Sequence, residues 1–338
     1  MQAIRSILVV VEPHQPDGLA INRAKLIAGV TQCHLHLLVC EKKHDHQADL
    51  EALAKTLTDE GFSVSTQQSW LDSVHQTIIA AQQAEGCGLI VKRHKPDNPL
   101  KKALLTPDDW KLLRYSPVPV LMVKTDTPWA NGKVLAAVDA GNADGPHRAL
   151  HTSIISHGYE IAQLAQCELH VIGAYPSPML SAADPTFQLK ESIEARYRTN
   201  CKVFQNEFAI ADECLHIEEG PADVLIPYTA KRLNVALTIL GTVARTGLSG
   251  VLIGNTAEVV LDALESDVLV LKPDDIIDRL EDLVAELDRY RPGHLGVAPE
   301  VANLRITGSF PLHDTDLALT ALLPTLPLAL MLSSFAHS

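Results

Sequence analysis

An aliphatic run that ends in an acid occurs twice in this sequence. Ser6-Ile7-Leu8-Val9-Val10-Val11-Glu12 is stopped by Pro13, and Lys133-Val134-Leu135-Ala136-Ala137-Val138-Asp139 is stopped by Gly141. Runs this short and this apolar read as buried strands. The echo continues in register. Cys33-His34-Leu35-His36-Leu37-Leu38-Val39 matches Cys167-Glu168-Leu169-His170-Val171-Ile172-Gly173, each behind a helix-like segment, 19–30 and 153–165. Residues 88–92 match 237–241, behind helices that open at Ser73-Val74 and at Gly220-Pro221-Ala222, and 118–124 match 267–272. Strands alternating with helices, twice over, predict a duplicated α/β unit with five-stranded parallel sheets and right-handed crossovers. Pro128 and Gly132 punctuate the join. The predicted domains are therefore 1–127 and 128–274, with 275–338 as a C-terminal appendage.

The composition narrows the function. Aromatic residues make up 4% of the 338, so the core must be aliphatic, as in a buried parallel sheet. A formal charge of −13 argues against nucleic acid as a partner, because such binding needs a basic face. The six cysteines show no C-x-x-C spacing and read as reduced thiols in the cytoplasm. The chain enters its first strand at once, which leaves no room for a signal peptide. In the tail, Ile276, Leu280, Leu283, Val284 and Leu287 form one face of an acidic helix, and residues 304–310 read as a strand. Residues 317–336 carry no charge, but Pro324 and Pro327 interrupt them and no basic cluster flanks them. A packed appendage is expected there rather than a membrane span.

The stretch that carries chemistry is the glycine-rich loop after residues 235–240. It runs from Gly241 to Gly254 and enters a helix over 256–265, with Asn255 as N-cap and Glu258 as its capping-box partner. Strand, flexible loop and helix N-terminus in that order make an anion cradle, for which phosphate is the natural guest. It is not a Walker A loop, since Gly254 is followed by Asn255 and the loop holds no lysine. Its spacing resembles the nucleotide loop of the universal stress protein family: Gly, two residues, Gly, nine residues, Gly, Ser/Thr. Gly241 and Gly254 keep that pattern; Ala244 and Asn255 depart from it. The run Gly-Thr-Val-Ala-Arg-Thr-Gly with Gly-Asn-Thr-Ala-Glu is similar to the tandem members of the family.

The resemblance covers about residues 1–273. It implies two tandem Rossmann-like domains of the adenine nucleotide alpha hydrolase-like type, with ATP, accompanied by Mg²⁺, as ligand of the second. It also implies that Asp139 and the backbone near Gly173 hold adenine and that Gly241 lies near ribose. Ala244, Gly254, Asn255 and Thr256 would surround the phosphates, with Arg245 as the one cation within the loop. Family members pair through the last strand, so the two halves are expected to pair with each other, with a homodimer open. A role in stress adaptation follows. The alternatives are a slow ATPase or phosphotransferase, and a scaffold that has lost its nucleotide.

The first half has Lys92-Arg93-His94-Lys95-Pro96-Asp97-Asn98-Pro99-Leu100-Lys101-Lys102 in place of that loop, with no glycine to form a backbone cradle. It is expected not to bind ATP in the family manner; its five Lys and Arg side chains either hold a different anion or are simply solvated. Thr106-Pro107-Asp108-Asp109-Trp110 opens a capped helix. The insertion at 175–184 is either a lid or a passive surface loop. No catalytic nucleophile motif is present. His34, His36, His44 and His46, with Cys33 or Cys40, offer ligand types suited to zinc, but packed or surface histidines are the expected outcome, and no metal site is assigned.

Overall fold

The computed structural model describes residues 4–12, 18–94, 105–141, 145–179, 188–241 and 255–271, together with residues 284, 295–297 and 301. The chain divides into two compact units, Met1–Pro273 and Asp274–Ser338. In the second unit Val284 is helical; the expected acidic helix is otherwise outside the described residues, as are the strand at 304–310 and the apolar stretch at 317–336.

The first unit contains the duplication. Its first half runs β1 (Ser6–Val10), α1 (Leu19–Thr31), β2 (His34–Cys40), α2 (Gln47–Asp59), β3 (Val64–Ser69), α3 (Val74–Glu85), β4 (Leu89–Arg93), α4 (Pro107–Tyr115) and β5 (Val120–Val123). Its second half repeats the order: β6 (Lys133–Ala137), α5 (Gly145–Ala165), β7 (Glu168–Tyr175), α6 (Lys190–Phe208), β8 (Leu215–Glu219), α7 (Ala222–Leu233), β9 (Leu237–Gly241), α8 (Asn255–Ala263) and β10 (Asp267–Leu271). A 3-10 turn at Asp212–Cys214 precedes β8. Each half is the expected five-stranded parallel sheet. The two are fused edge to edge, in the order β3-β2-β1-β4-β5-β10-β9-β6-β7-β8. The seam is the antiparallel pair β5–β10, with Leu121 opposite Leu269.

Alternation along the strands explains the layering. Ile7 and Val9 point to one face of the sheet and Leu8 to the other, and all three are fully buried. Helices cover both faces, so the central strands carry unbroken aliphatic runs. The edge strands are polar by comparison: β3 is VSTQQS and half-buried throughout. Local signals end the helices where expected. The Ser73 hydroxyl caps α3 by accepting from Gln76 N, and α3 stops at Gly86 with φ 61°.

A single carboxylate ties the halves together. Asp267, at the start of β10, has no exposed surface. Its Oδ2 accepts from Arg23 Nε at 2.7 Å and from Trp129 Nε1 at 2.9 Å. Its Oδ1 accepts from the backbone amides of Lys124 at 2.8 Å and Thr125 at 3.1 Å. Arg23 also donates to Thr127 O at 2.6 Å and lies 5.0 Å over the Trp129 ring. One residue thus binds α1 of the first half, the linker and β10 of the second. Lys124 adds a clamp, donating to Leu261 O at 3.0 Å and Leu264 O at 2.6 Å at the end of α8. Replacing Asp267 with alanine would strand Arg23 and the Trp129 N–H without an acceptor. We expect a loss of about 3–5 kcal/mol in urea unfolding at neutral pH; a loss below about 1 kcal/mol would refute this role.

Candidate functional site

In each half, strand order reverses between the first and fourth strands, and in open α/β sheets the carboxyl ends of strands at such a reversal are where a ligand crevice forms. In the second half Ala137 pairs with Leu240 on one side and with Ile172 on the other. The following residues, Asp139, Gly173 and Gly241, therefore gather at one end of the sheet. Asp139 is exposed there. Helix α8 returns from that end, so the backbone of Asn255 and Thr256 opens toward it. Ala244, Arg245 and Gly254 lie outside the described residues, as do positions 180–187 of the insertion.

The two described glycines have packing reasons of their own. A Cβ at Gly241 would lie 2.7 Å from Leu150 Cδ2 and 3.0 Å from Ile154 Cδ1, so a side chain there would force these α5 residues to shift. A Cβ at Gly173 would lie 3.1 Å from Ile217 Cδ1. Helix α6, absent from the sequence expectations, stands beyond that end of the sheet. Its buried Ile193, Tyr197, Cys201 and Phe204 fall at helical spacing, a signal that was there to read. Asn200 Nδ2 donates to Ala140 O at 2.7 Å, and the Tyr197 ring packs on Tyr175 with centroids 5.7 Å apart. Burial, and then the charge of Asp139, push the Tyr197 phenol up. Between α5 and α6 lies a cleft of about 310 Å³, lined by Ala140, Arg148, His151, Thr152 and Asn200 among others.

The first half superposes on this arrangement by residue number. Arg93 and Gly241 end equivalent strands, Pro107 and Asn255 open equivalent helices, and Val120 and Val268 occupy equivalent positions beside Ile90 and Thr238; each pair is 148 apart (241 − 93, 255 − 107, 268 − 120). The two loops thus have the same length and differ in chemistry. Arg93 stands where Gly241 stands, and Glu12, two residues past β1, stands where Asp139 stands two past β6. Arg93 Nη1 and Glu12 Oε2 form an ion pair at 3.5 Å. A cavity beside Glu12, under Leu50 and Leu53 of α2, is about 10 Å³. At the start of α4 the Thr106 hydroxyl accepts from Asp109 N, and the Asp109 carboxylate accepts from Thr106 N at 3.2 Å. That buried carboxylate also receives Lys92 Nζ at 2.6 Å and contacts His94 Nδ1 at 2.9 Å. The place an anion would take at this helix start holds the protein's own anion.

The family model described as the universal stress protein family matches residues 40–124 and 130–272. The chain belongs to the universal stress protein family. It is 31% identical over 304 residues to universal stress protein E of Escherichia coli K12, across 81% of this chain and 96% of that protein, and similarly close to universal stress protein E of Salmonella typhi. Among solved structures, a functionally unknown protein from Pseudomonas aeruginosa PAO1 is 69% identical, with a TM-score of 0.75 over 84% of this chain and 98% of that one. A universal stress protein from Archaeoglobus fulgidus, 19% identical with a TM-score of 0.54, shares the fold.

In this universal stress protein the strand histidines are hydrogen-bonded side chains. His34 contacts the hydroxyls of Ser63 at 2.8 Å and Ser65 at 2.7 Å, and His36 contacts Gln67 Oε1 at 3.0 Å. Burial pushes the Cys33 thiol up, and carries Cys40 to about 12, the charge of Lys92 notwithstanding. His44 and His46 instead gather with Glu41, their ligand atoms within 4.8 Å of one another.

Burial alone would raise the Asp109 acid, but the His94 hydrogen bond, the Lys92 ammonium and the Thr106 amide outweigh it and hold it at about 2. A carboxyl depressed in the folded state contributes stability above its unfolded value near pH 4 and loses it as pH falls through about 2. The contribution is on the order of 2–3 kcal/mol at neutral pH. Asp109→Asn should therefore be clearly less stable than the parent at pH 7 and approach it below about pH 3. A gap in unfolding midpoints that stays constant with pH would contradict this.

Proposed function

We propose that this protein binds one adenine nucleotide, ATP with Mg²⁺, in the crevice at the carboxyl ends of β6 and β9, and that its first half binds none. The observation behind this reading is the contrast at matched positions. In the first half, Arg93 meets Glu12, and the α4 N-terminus is closed by Thr106 and Asp109. In the second half an exposed acid, Asp139, and a glycine, Gly241, stand at those two positions. A helix N-terminus opens beside them, where backbone N–H groups and the helix dipole favour phosphate. In this reading Asp139 and the backbone beside Gly173 hold the adenine, and Gly241 lies by the ribose. Ala244, Arg245, Gly254, Asn255 and Thr256 surround the phosphates.

The biological role follows from occupancy rather than turnover. A ligand that favours one arrangement of the two halves shifts that equilibrium by its differential affinity, a way for a stress-response protein to report nucleotide level. The six free cysteines accord with a reducing cytoplasm. Among the described residues no helix is long and apolar enough to cross a membrane.

Titration calorimetry of the full chain with ATP and Mg²⁺ tests the proposal. We expect one site per chain, weakened at least about tenfold by Asp139→Ala, as for a lost hydrogen bond to a charged group, and unchanged by Glu12→Ala. Two sites would overturn the assignment of the first half. Silence at millimolar ATP would leave a scaffold without nucleotide. Phosphate release in a single-turnover assay would make the protein a slow ATPase.

A further inference from the structure

At the amino ends of β7 and β8, the opposite end of the sheet from the crevice, a carboxylate, two imidazoles and a thiol come together. Glu168 and His170 are two residues apart on β7 and share a face. The parallel register sets Val171 beside Leu215 and Ile172 beside His216. Cys214, at the end of the 3-10 turn, therefore sits beside His170, and His216 follows on the same face. His170 Nε2 lies 3.0 Å from Glu168 Oε2, and Cys214 Sγ lies 3.4 Å from Glu168 Oε1. One ligand atom from each of the three falls within 4.8 Å of the others. His170 and Cys214 are buried, while Glu168 is exposed and leaves an entry path. Lys133 Nζ is 3.9 Å from Glu168 Oε2, the oxygen that His170 also contacts.

We propose that Glu168, His170 and Cys214 form a binding site for a borderline-soft divalent cation of the zinc class. The donor set of one sulfur, one imidazole nitrogen and one carboxylate oxygen is typical of such ions. Metal–ligand bonds of about 2.0–2.3 Å put tetrahedral neighbours about 3.3–3.7 Å apart. The two spacings to Glu168, 3.0 Å from His170 Nε2 and 3.4 Å from Cys214 Sγ, are near that range, and the three ligand atoms lie within 4.8 Å of one another. Three protein ligands leave the fourth position to water. His216 supports the site from behind: its Nε2 lies 3.1 Å from His170 Nδ1, with the rings stacked at 5.3 Å and 22°. That contact orients the ring so that Nε2 faces the Glu168 carboxylate. On binding, the Cys214 S–H bond breaks, a sulfur–metal bond forms, and the proton leaves to solvent. Both imidazoles stay neutral.

The duplication supplies an internal control. His34, His36, Ser65 and Gln67 hold the matching positions in the first half, by the strand echo and by the register of His36 with Ser65. There the same framework carries a ladder of side-chain hydrogen bonds, with neither a thiol nor a carboxylate among those four, and the nearest carboxylate, Glu85 of α3, stands 3.8 Å from His36 Nδ1. The second half differs at the positions where ligand chemistry would require it.

The test is a Co²⁺ titration of the metal-stripped full chain, followed by Zn²⁺ competition. We expect one equivalent of Co²⁺ to produce a thiolate-to-cobalt charge-transfer band with tetrahedral d–d absorption, bleached by Zn²⁺. Cys214→Ser should abolish that band and weaken Co²⁺ binding at this site at least about tenfold. His216→Asn should keep the band and weaken binding by about tenfold to a hundredfold, as expected for a supporting partner. His44→Ala, in the separate Glu41 cluster, should leave the band unchanged. Zn²⁺ should raise the Tm of the parent but not that of Cys214→Ser, whose urea midpoint reports whether it folds. Cobalt binding without a charge-transfer band, a band that survives Cys214→Ser, or no binding at micromolar cobalt would each overturn the proposal.

Discussion

Asp267 has no exposed surface, and four donors converge on its two oxygens. A buried carboxylate is tolerable only when its acceptor sites are filled and a cation stands beside it; the Arg23 guanidinium and two backbone amides meet both conditions. The seam depends on this residue. β5 and β10 are short strands that meet antiparallel, and without a partner each would be a bare sheet edge. Their pairing converts two such edges into the middle of a ten-stranded sheet. Asp267 holds β10 to the linker that follows β5, and Lys124 holds that linker to the end of α8. The position equivalent to Asp267 in the first half, 148 residues earlier, is Pro119, so the hub belongs to one repeat only.

Once the halves share a sheet, their differences can be compared residue by residue. The loops after β4 and β9 have equal length, and both crevices sit where strand order reverses. What separates them is which side chains stand at the strand ends. Arg93 and Glu12 satisfy each other; Gly241 has no side chain, and Leu150 and Ile154 fill the space above it. Gly241 is thus favoured by helix packing whatever binds nearby, and the nucleotide reading rests on its combination with Asp139 and the start of α8. Strand β7 contributes to both ends of its half, with Gly173 at the crevice and Glu168 and His170 at the opposite rim.

The central strands were legible because burial on both faces leaves an uninterrupted aliphatic run. The capped start of α4 was legible because Thr106, Pro107 and Asp109 act through local hydrogen bonds and a fixed φ. Strands β3 and β8 were not. They lie at the two outer edges of the sheet, half-buried, and VSTQQS and LHIEE carry no continuous apolar signal. Missing β8 meant missing that Cys214 and His216 stand beside His170. The histidine pair that stands out along the chain is that of the first half, His34 and His36, and it is hydrogen-bonded to serines and a glutamine.

The sequence alone determined the duplication, the alternation of strands and helices, the loss of glycine from the first loop and its retention in the second. Each of these is a property of neighbours along the chain: periodicity, φ freedom, a cap three residues away. Only the tertiary structure decided which charges meet. Arg23 and Asp267 are 244 residues apart, and nothing local marks one acid among many as the one that will be buried with a guanidinium. The same holds for Glu12 with Arg93 and for His170 with Cys214. Electrostatic and ligand-type contacts act over a few ångströms in space, so they come into being only after packing has set the register of one strand against another.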